Sequence, residues 1–275
     1  MRVSHSMLQT YRDCPRKYML GYLERLEKIR EGWESHDSAW GRGVHKGLEV
    51  YYLGGSTPDM VKGFDSIYSE LLDDSDKAKT PENGHKLLVE YADSHKGDFK
   101  EWEVIAAEKT IDVPIGGHVY RCGLDLVMKH RASGDYYPWD HKTTGKSLGV
   151  DFFQGYDMDF QMTGYVVACT KEYGSCGGFY INGIQVGFNS RAGSKHPAGF
   201  WWENVNRMFN RMPHQLEQWR TSVGEWVAKV EGDTTFPMNT SLCRWCEFRE
   251  LDLAGWDVSK DREAVLNLYQ PKGKS

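Results

Sequence analysis

The sequence predicts a mixed α/β fold in which helices flank a central sheet. Three β-like runs follow one another between residues 103 and 144, and helical patterns precede and follow them. The chain has 275 residues, of which 40% are hydrophobic and 13% aromatic, which is enough apolar surface for one large core. We therefore expect residues 1–275 to form one domain with a helical insertion at 53–100. If cysteines near the two ends share a metal, a small closing region would be built from 1–30 and 236–260.

Hydrophobic spacing predicts helices in the first part of the chain. Residues 4–26 and 38–52 carry apolar side chains at helical spacing, and Pro15 predicts a break or a new helix start within the first of these segments. The polar segment 58–96 is also predicted to be helical, with a loop near Pro81 and Gly84.

Turn residues divide the next part of the chain into strands. Residues 103–115, 117–130 and 135–144 are predicted to form a meander, since Gly116-Gly117 and Ser133-Gly134 separate them. The remaining pattern predicts three further elements: a helix at 157–173, a strand at 177–187 and a long amphipathic helix at 200–230.

Composition restricts the class of protein. The formal net charge is −5, which disfavours a general duplex-binding surface but leaves room for a local basic rim around a bound cation. No apolar run is long enough for a signal peptide or a membrane span, so we expect a cytoplasmic protein that does not bind membranes. In a reducing compartment the six cysteines are expected to ligate metal or to be buried, not to form disulfides.

Two carboxylates and one ammonium group are predicted to converge on one face of the sheet. Asp140 and Lys142 share a face because side chains alternate along a strand, and His141 points to the other face. If the second and third strands pair as a hairpin, Asp125 lies alongside Asp140. Two such carboxylates repel each other unless a cation lies between them, and oxygen ligands suit Mg²⁺ or Mn²⁺. An imidazole would shift the preference toward Mn²⁺, and His45 is the candidate.

The same residues also have an ordinary structural interpretation. Asp140 and Lys142 could be a solvated pair on an exposed strand face, and a D-x-K string is weak evidence by itself. If a cation binds, it could activate water and polarise a phosphate, while Lys142 could orient the water or offset charge in the transition state.

Five segments in sequence order resemble the RecB-type nucleases of the PD-(D/E)XK superfamily, which include helicase–nuclease subunits and CRISPR-adaptation nucleases. The matching features are an opening helix with Cys-Pro at 7–20, a helix with a metal-binding His at 41–49, a Glu strand and a Gly-x-Asp strand at 106–128, a D-x-K strand at 139–147, and a helix with Gln and Tyr at 159–168. The resemblance implies a restriction-endonuclease-like core, a mixed central sheet flanked by helices, with a helical lobe.

The resemblance also implies roles for individual residues. The implied metal ligands are His45, Asp125, Asp140 and the backbone carbonyl of His141. Lys142 would be the catalytic lysine, and Glu108 would be an auxiliary catalytic residue. Gln161 and Tyr165, which share one helical face, would contact the substrate near the metal.

The cysteines raise the question of a second metal centre. Cys243 and Cys246 have the spacing of metal ligands. In part of the family, one N-terminal and three C-terminal cysteines hold a 4Fe–4S cluster, and Cys14, Cys243 and Cys246 match three of these positions. The fourth position is Asp252, so four alternatives stay open: an aspartate ligand, a three-cysteine cluster, zinc, or a degenerate site. The other cysteines are expected to be buried thiols: Cys122, Cys169 and Cys176.

These observations predict a metal-dependent DNA nuclease, specifically an exonuclease acting in recombination, repair or phage DNA processing. It would act in the cytoplasm of a prokaryotic or phage-infected cell, with DNA and a recombination or replication protein as partners. Two alternatives remain open: a catalytically inactive DNA-binding module with the nuclease fold, and an unrelated structural protein stabilised by metal.

Overall fold

The computed structural model describes residues 1–29, 36–68, 76–191 and 195–273. The described helices are α1 (His5–Asp13), α2 (Pro15–Tyr18), α3 (His36–Tyr52), α4 (Thr57–Asp65), α5 (Pro81–Ser94), α6 (Asp98–Glu101), α7 (Val150–Gln154), α8 (Phe160–Tyr173), α9 (Pro213–Gly232), α10 (Arg249–Ala254) and α11 (Arg262–Leu268). A π-helical turn (Met19–Leu23) and a 3₁₀ turn (Thr240–Trp245) accompany them. The described strands are β1 (Arg2–Ser4), β2 (Leu26–Lys28), β3 (Trp102–Ile115), β4 (His118–His130), β5 (Tyr136–Thr144), β6 (Phe179–Asn189), β7 (Gly199–Phe209) and β8 (Tyr269–Pro271).

The described residues divide into two compact units. The larger unit takes its residues from 34–113 and 122–219, and the smaller unit takes its residues from 1–33, 114–121 and 220–275.

The larger unit is built on a mixed sheet. Its strands follow the order β4-β5-β6-β7, and β3 also pairs with β4. The β4–β5 and β6–β7 pairs are antiparallel, whereas β5 and β6 run parallel. The predicted class, a mixed α/β fold with a mixed central sheet flanked by helices, is therefore confirmed.

Helix α3 packs closely against β5 in the larger unit. A Cβ atom at Gly41 would lie 2.8 Å from Oγ1 of Thr143, so glycine permits the close approach of the helix to the strand. The core beneath contains fully buried side chains from several elements: Trp40, Leu48, Phe64, Leu88, Leu126 and Ile184. This packing orients one face of α3 toward the end of β5 that carries the D-x-K residues.

The smaller unit joins early and late segments of the chain. Strand β1 pairs in parallel with the first residues of β4, while β2 and β8 form an antiparallel pair. A second apolar core lies in this unit: Leu20, Leu26, Phe248, Leu251, Val265 and Tyr269. Pro15 begins a new helix, as the sequence predicts, because proline is tolerated in the first turn.

Two expectations about helices were wrong. Residues 199–209 form strand β7 and not the first half of a helix, because they pair along their whole length with β6; the helix begins at Pro213. The expected loop near Pro81 and Gly84 is the start of α5, where a Cβ atom at position 84 would lie 2.4 Å from the Phe64 ring. Residues 69–75 of the predicted insertion at 53–100 lie outside the described residues.

Candidate active site

The register of β4 and β5 brings two aspartates to neighbouring positions. Leu126 pairs with Trp139, and the next residues along the two strands are Asp125 and Asp140. Beyond that pair, the backbone amide of His141 donates a hydrogen bond of 3.1 Å to Oδ2 of Asp125. The Asp125 side chain is thereby held against the backbone of β5.

Asp140 and Lys142 form an ion pair on β5 between a buried carboxylate and a half-buried ammonium group. Nζ of Lys142 lies 2.5 Å from Oδ2 of Asp140, which is only 2% exposed. Burial raises the pKa of Asp140 to about 6, although Lys142 opposes the shift, and the neighbouring Asp125 adds to it. Burial lowers the pKa of Lys142, but the Asp140 carboxylate more than compensates, so the net shift is upward and the lysine stays charged at neutral pH.

Helix α3 directs His45 at the same two strands. Its Nδ1 atom lies 3.4 Å from Oδ2 of Asp125, and its ring meets the His141 ring edge-on with centroids 5.9 Å apart. Burial lowers the pKa of His45 to about 4, so the imidazole is neutral at pH 7, which is the form that binds metal. The structure thus brings together His45, Asp125, the backbone of His141 and the Asp140–Lys142 pair.

Glu108 lies on β3 in an unusual backbone conformation. Its φ is 49°, and among the described non-glycine residues only Arg25 also has a positive φ. Partial desolvation raises the pKa of the Glu108 carboxyl, and the negative charges of Asp125 and Glu49 raise it further. A positive φ at glutamate costs free energy, and such strain is often retained at functional sites.

The Glu49 carboxylate is a neighbour that sequence reasoning missed. It lies one helical turn after His45 on α3 and pairs with Lys46 at 2.6 Å. Its position four residues after His45 is the sequence signal that could have indicated it, since residues four apart share a helix face.

An open cavity of about 420 Å³ adjoins the D-x-K end of β5. Its lining residues are Asp37, Ser38, Gly41, Arg42, His45, His141, Lys142 and Thr143. Arg42 and Lys142 give the cavity a cationic lining, with hydroxyl groups from Ser38 and Thr143. Arg42 was not predicted as a site residue, although it precedes His45 by three positions and therefore shares its helix face.

Gln161 and Tyr165 lie on α8 and interact with each other. Asp159 caps this helix by accepting the amide of Met162 at 2.8 Å. Nε2 of Gln161 donates a 3.0 Å hydrogen bond to the Tyr165 hydroxyl, and Tyr165 is only 4% exposed. Gln161 is therefore the more accessible member of the pair, and within the described ranges neither residue belongs to the lining of the open cavity.

The donor set at the ends of β4 and β5 fits a hard divalent cation. It offers two carboxylates, a neutral imidazole and a backbone carbonyl. Burial raises the pKa of both carboxyls, a cost that a bound cation would offset. The side-chain ligand atoms of His45, Asp125 and Asp140 are not all within 4.8 Å of one another. In the described part of the chain, a different group of three residues has its ligand atoms that close together.

That other group is His36, Asp37 and Asp76, which sequence analysis did not identify. It could hold a divalent cation. However, Nζ of Lys79 already lies 2.5 Å from Oδ1 of Asp37, and the Tyr68 hydroxyl lies 2.6 Å from Nε2 of His36. Because a lysine already compensates one of its carboxylates, we assign no role to this group.

The cysteine residues predicted to share a metal line one cavity in the smaller unit. This cavity of about 200 Å³ is bordered by Cys14, Cys243, Cys246 and Asp252. Sγ of Cys14 accepts hydrogen bonds from the amides of Lys17 at 3.5 Å and Asn239 at 3.4 Å. Amide donors of this kind stabilise a thiolate at Cys14, and with Cys243 and Cys246 bordering the same cavity the three sulfurs could hold a thiophilic metal.

Asp252 fits such a metal less well than the cysteines do. Its Oδ1 atom lies 2.5 Å from Nε of Arg16, so the carboxylate already has a cationic partner. All six cysteines are free thiols. The expectation of burial is met by Cys122 and Cys169, whereas Cys176 is half-buried.

None of the helices in the ranges that the structure describes has both the length and the apolarity needed to cross a membrane.

Several solved structures resemble the chain at low sequence identity. A protein from Eubacterium rectale, named as a candidate exonuclease, is 14% identical with a TM-score of 0.51, and the match covers 86% of this chain and 83% of that one. SSO0001 is 13% identical with a TM-score of 0.34, covering 92% and 96% of the two chains. LHK-Exo in complex with dAMP is 14% identical with a TM-score of 0.28, covering 71% and 92%. Of these three, the first indicates a shared fold. No curated protein matches the sequence significantly.

The family comparison covers most of the chain. The family model of the PD-(D/E)XK nuclease superfamily matches residues 2–251. That span includes both strands of the candidate site and the helix that carries His45. The chain belongs to the PD-(D/E)XK nuclease superfamily.

Proposed function

We propose that this protein is a metal-dependent DNA nuclease that degrades DNA from its ends. The observation that carries the proposal is the contact of His45 with Asp125, 3.4 Å apart, beside the buried Asp140 carboxylate and its partner Lys142. A solvated surface pair would not require a carboxylate that is 2% exposed. Burying these charges is unfavourable unless they have a partner and a task.

The proposed metal ligands are His45, Asp125, Asp140 and the backbone carbonyl of His141. Their oxygen and nitrogen donors suit Mg²⁺ or Mn²⁺, the ions we propose as cofactors. A divalent cation at this position would supply water activation and charge stabilisation at the phosphate. The chain itself contributes the orientation of its ligands, because the His141 amide holds Asp125 and Asp125 in turn contacts His45.

We assign Lys142 an electrostatic role. The Asp140 carboxylate keeps its pKa above the usual lysine value, so Lys142 carries a proton and a positive charge at neutral pH. A charged ammonium cannot act as a general base. It can instead hold the attacking water in place and offset the negative charge that develops on the phosphate.

We assign supporting roles to three other residues. Glu108 would act as an auxiliary carboxylate, since its pKa responds to the charge of Asp125. Gln161 would contact the substrate, and Tyr165, which is bonded to it at 3.0 Å, would hold the amide in position.

Recombination, repair and phage DNA processing are the pathways we propose for this activity, with a recombination or replication protein as partner. The rival function is a DNA-binding module that has lost catalysis. The presence of both aspartates and the lysine argues against that rival, since a binding surface has no need for a buried, lysine-paired carboxylate beside a second one.

Cleavage of DNA with defined ends tests the proposal. Linear duplex, linear single strands and covalently closed circles should be incubated with Mn²⁺, with Mg²⁺ and with EDTA. We expect metal-dependent loss of the linear forms, and both Asp125→Ala and Asp140→Ala should reduce cleavage to background. Asp93→Ala, which removes an exposed carboxylate on α5, is the matched control and should cleave like wild type. Wild-type cleavage by Asp140→Ala would overturn the site assignment, and cleavage of circles would overturn the requirement for ends.

Lys142→Ala separates catalysis from metal binding. We expect turnover to fall by about 100-fold or more, because one electrostatic group of the transition state is lost. Mn²⁺ binding, measured by calorimetry, should persist because an ammonium is not a metal ligand. Lys62→Ala, at an exposed position on α4, is the control for loss of a lysine charge. Loss of Mn²⁺ binding in Lys142→Ala would contradict this role.

We also propose that Cys14, Cys243 and Cys246 hold a second metal centre with a structural role, a 4Fe–4S cluster in preference to zinc. Support comes from the common cavity that the three cysteines border and from the amide donors to Cys14. Asp252 is the candidate fourth ligand, in competition with its contact to Arg16.

A further inference from the structure

A buried polar network lies behind the candidate site, on the face of β5 opposite Asp140 and Lys142. His141 and Asn182 are register partners on β5 and β6, and Nδ2 of Asn182 lies 2.9 Å from Nδ1 of His141. The same Nδ2 donates to the Tyr91 hydroxyl at 2.8 Å, and that hydroxyl lies 2.9 Å from the hydroxyl of Tyr52. The network therefore links β5, β6, α3 and α5 through polar atoms.

All four members of this network are removed from water. His141 is 3% exposed, Asn182 0%, Tyr91 0% and Tyr52 3%. Buried polar groups cost free energy unless they are satisfied, and Oδ1 of Asn182 has no hydrogen-bond partner within the described residues. Because this polar group is left unsatisfied, the network is not explained by the stability of the core alone, and a role in positioning other residues has to be considered.

The position of His141 supplies that explanation. Its side chain faces the network, while its amide and the two flanking side chains face the candidate site. Its ring stacks on Tyr52 with centroids 5.8 Å apart and meets the edge of the His45 ring at 5.9 Å. Any rotation of β5 about its axis at this residue would move Asp140, Lys142 and the His141 backbone together.

We propose that Asn182 and Tyr91 are positioning residues for the metal-binding end of β5. By holding the His141 ring, they set the orientation of the His141 carbonyl and of the Asp140 carboxylate. Neither residue touches the substrate or the cation. This inference rests on the proposed metal-dependent function and extends it to residues one layer behind the ligands.

Removal of single hydroxyl groups tests the proposal with little change in packing. Tyr91→Phe deletes the hydroxyl that joins Asn182 to Tyr52 but keeps the ring that stacks on His95. Tyr51→Phe is the matched control, because Tyr51 packs edge-on against the same Tyr91 ring and its buried hydroxyl makes no hydrogen bond within the described residues. Asn182→Leu removes the central amide at similar volume.

Mn²⁺ affinity, measured by calorimetry on the full-length metal-free protein, is the readout. Changes in the groups behind metal ligands typically weaken metal binding about 10- to 100-fold. We expect at least about a 10-fold higher Kd in Tyr91→Phe and in Asn182→Leu, and a Kd near the wild-type value in Tyr51→Phe. The double variant should bind about as weakly as Asn182→Leu alone, because both changes break one network.

The outcomes distinguish this inference from the proposed function. If Tyr91→Phe and Asn182→Leu bind Mn²⁺ as tightly as Tyr51→Phe while wild type binds metal and cleaves DNA, the positioning role is wrong and the nuclease function stands. If wild type binds no Mn²⁺, both proposals are overturned. Thermal unfolding and circular dichroism identify folded variants, and Tyr91→Phe carries the test if Asn182→Leu does not fold.

Discussion

Asp140 illustrates how one buried residue can link stability to metal binding. Its carboxylate contacts Lys142 at 2.5 Å, yet burial raises its pKa to about 6. Desolvation therefore outweighs the attraction of the ammonium in the metal-free protein. The site tolerates this unfavourable charge because a cation would compensate it, which is the usual relation between function and local instability.

The raised pKa predicts how metal-free stability depends on pH. Because the pKa of Asp140 is about 6 in the folded state and ordinarily 3.8, the folded protein binds more protons than the unfolded chain between these pH values. The Asp140 contribution to stability is then lost as pH rises through about 6. Relative to Asp140→Asn, wild type treated with EDTA should lose several degrees of Tm between pH 4.5 and pH 7. A Tm difference that stays constant over this range would contradict the shift.

Glu108 offers a second test at the residue scale. With a φ of 49°, it should be strained in a way that glycine is not. Glu108→Gly and Glu108→Ala both remove the carboxylate, so both should lose activity if Glu108 is auxiliary to catalysis. The glycine variant should be more stable than the alanine variant by about 1 kcal/mol, measured by urea unfolding. Equal stabilities would mean that the backbone relaxes to a negative φ.

At the scale of elements, local pattern predicted strands well where they alternate and are bounded by glycine. The meander of β3, β4 and β5 and the register of Asp125 with Asp140 followed from side-chain alternation and turn residues. Strand β7 could not be predicted in this way, because Trp202, Val205 and Phe209 also fit helical spacing. Long-range pairing with β6 overrides that local signal. The buried network around His141 was equally hidden, since Asn182 meets His141 and Tyr91 only through tertiary contact.

The contacts of Arg211 with the loop before α8 and with α8 itself provide a test at the scale of elements. Its guanidinium donates to Oγ1 of Thr163 and to the carbonyl of Tyr156, both at 2.8 Å, and lies 4.7 Å from the Phe179 ring centroid. An ammonium cannot reproduce this forked set of contacts. Arg211→Lys should therefore lower the free energy of unfolding by about 2 kcal/mol. Arg131→Lys, at an exposed turn, is the control, and equal stability of the two variants would contradict the argument.

At the scale of the whole molecule, polar contacts join segments that are far apart in sequence. Within the smaller unit, Arg16 pairs with Asp252 at 2.5 Å, and the Asn239 side chain donates to the carbonyl of Asp13 at 2.8 Å. The family resemblance implied through Cys14, Cys243 and Cys246 that these segments are neighbours, but no local pattern could predict an ion pair between residues so distant in sequence. Closing such long loops costs chain entropy on folding, and these contacts offset part of that cost.

The proposed cluster leads to a prediction about the closing region. Three thiolates border one cavity, but the fourth position is an aspartate that is bound to Arg16, so we expect a labile, partly occupied site. Protein purified without oxygen should be faintly brown, carry substoichiometric iron, and lose thermal stability in air or on Cys243→Ser. Asp252→Cys would supply a fourth thiolate and should raise the iron content toward full occupancy. Cys176→Ser, outside this cavity, should leave iron unchanged. Colourless, metal-free preparations that are equally stable with and without oxygen would contradict the cluster, and the ion pair would then be the contact that closes the region.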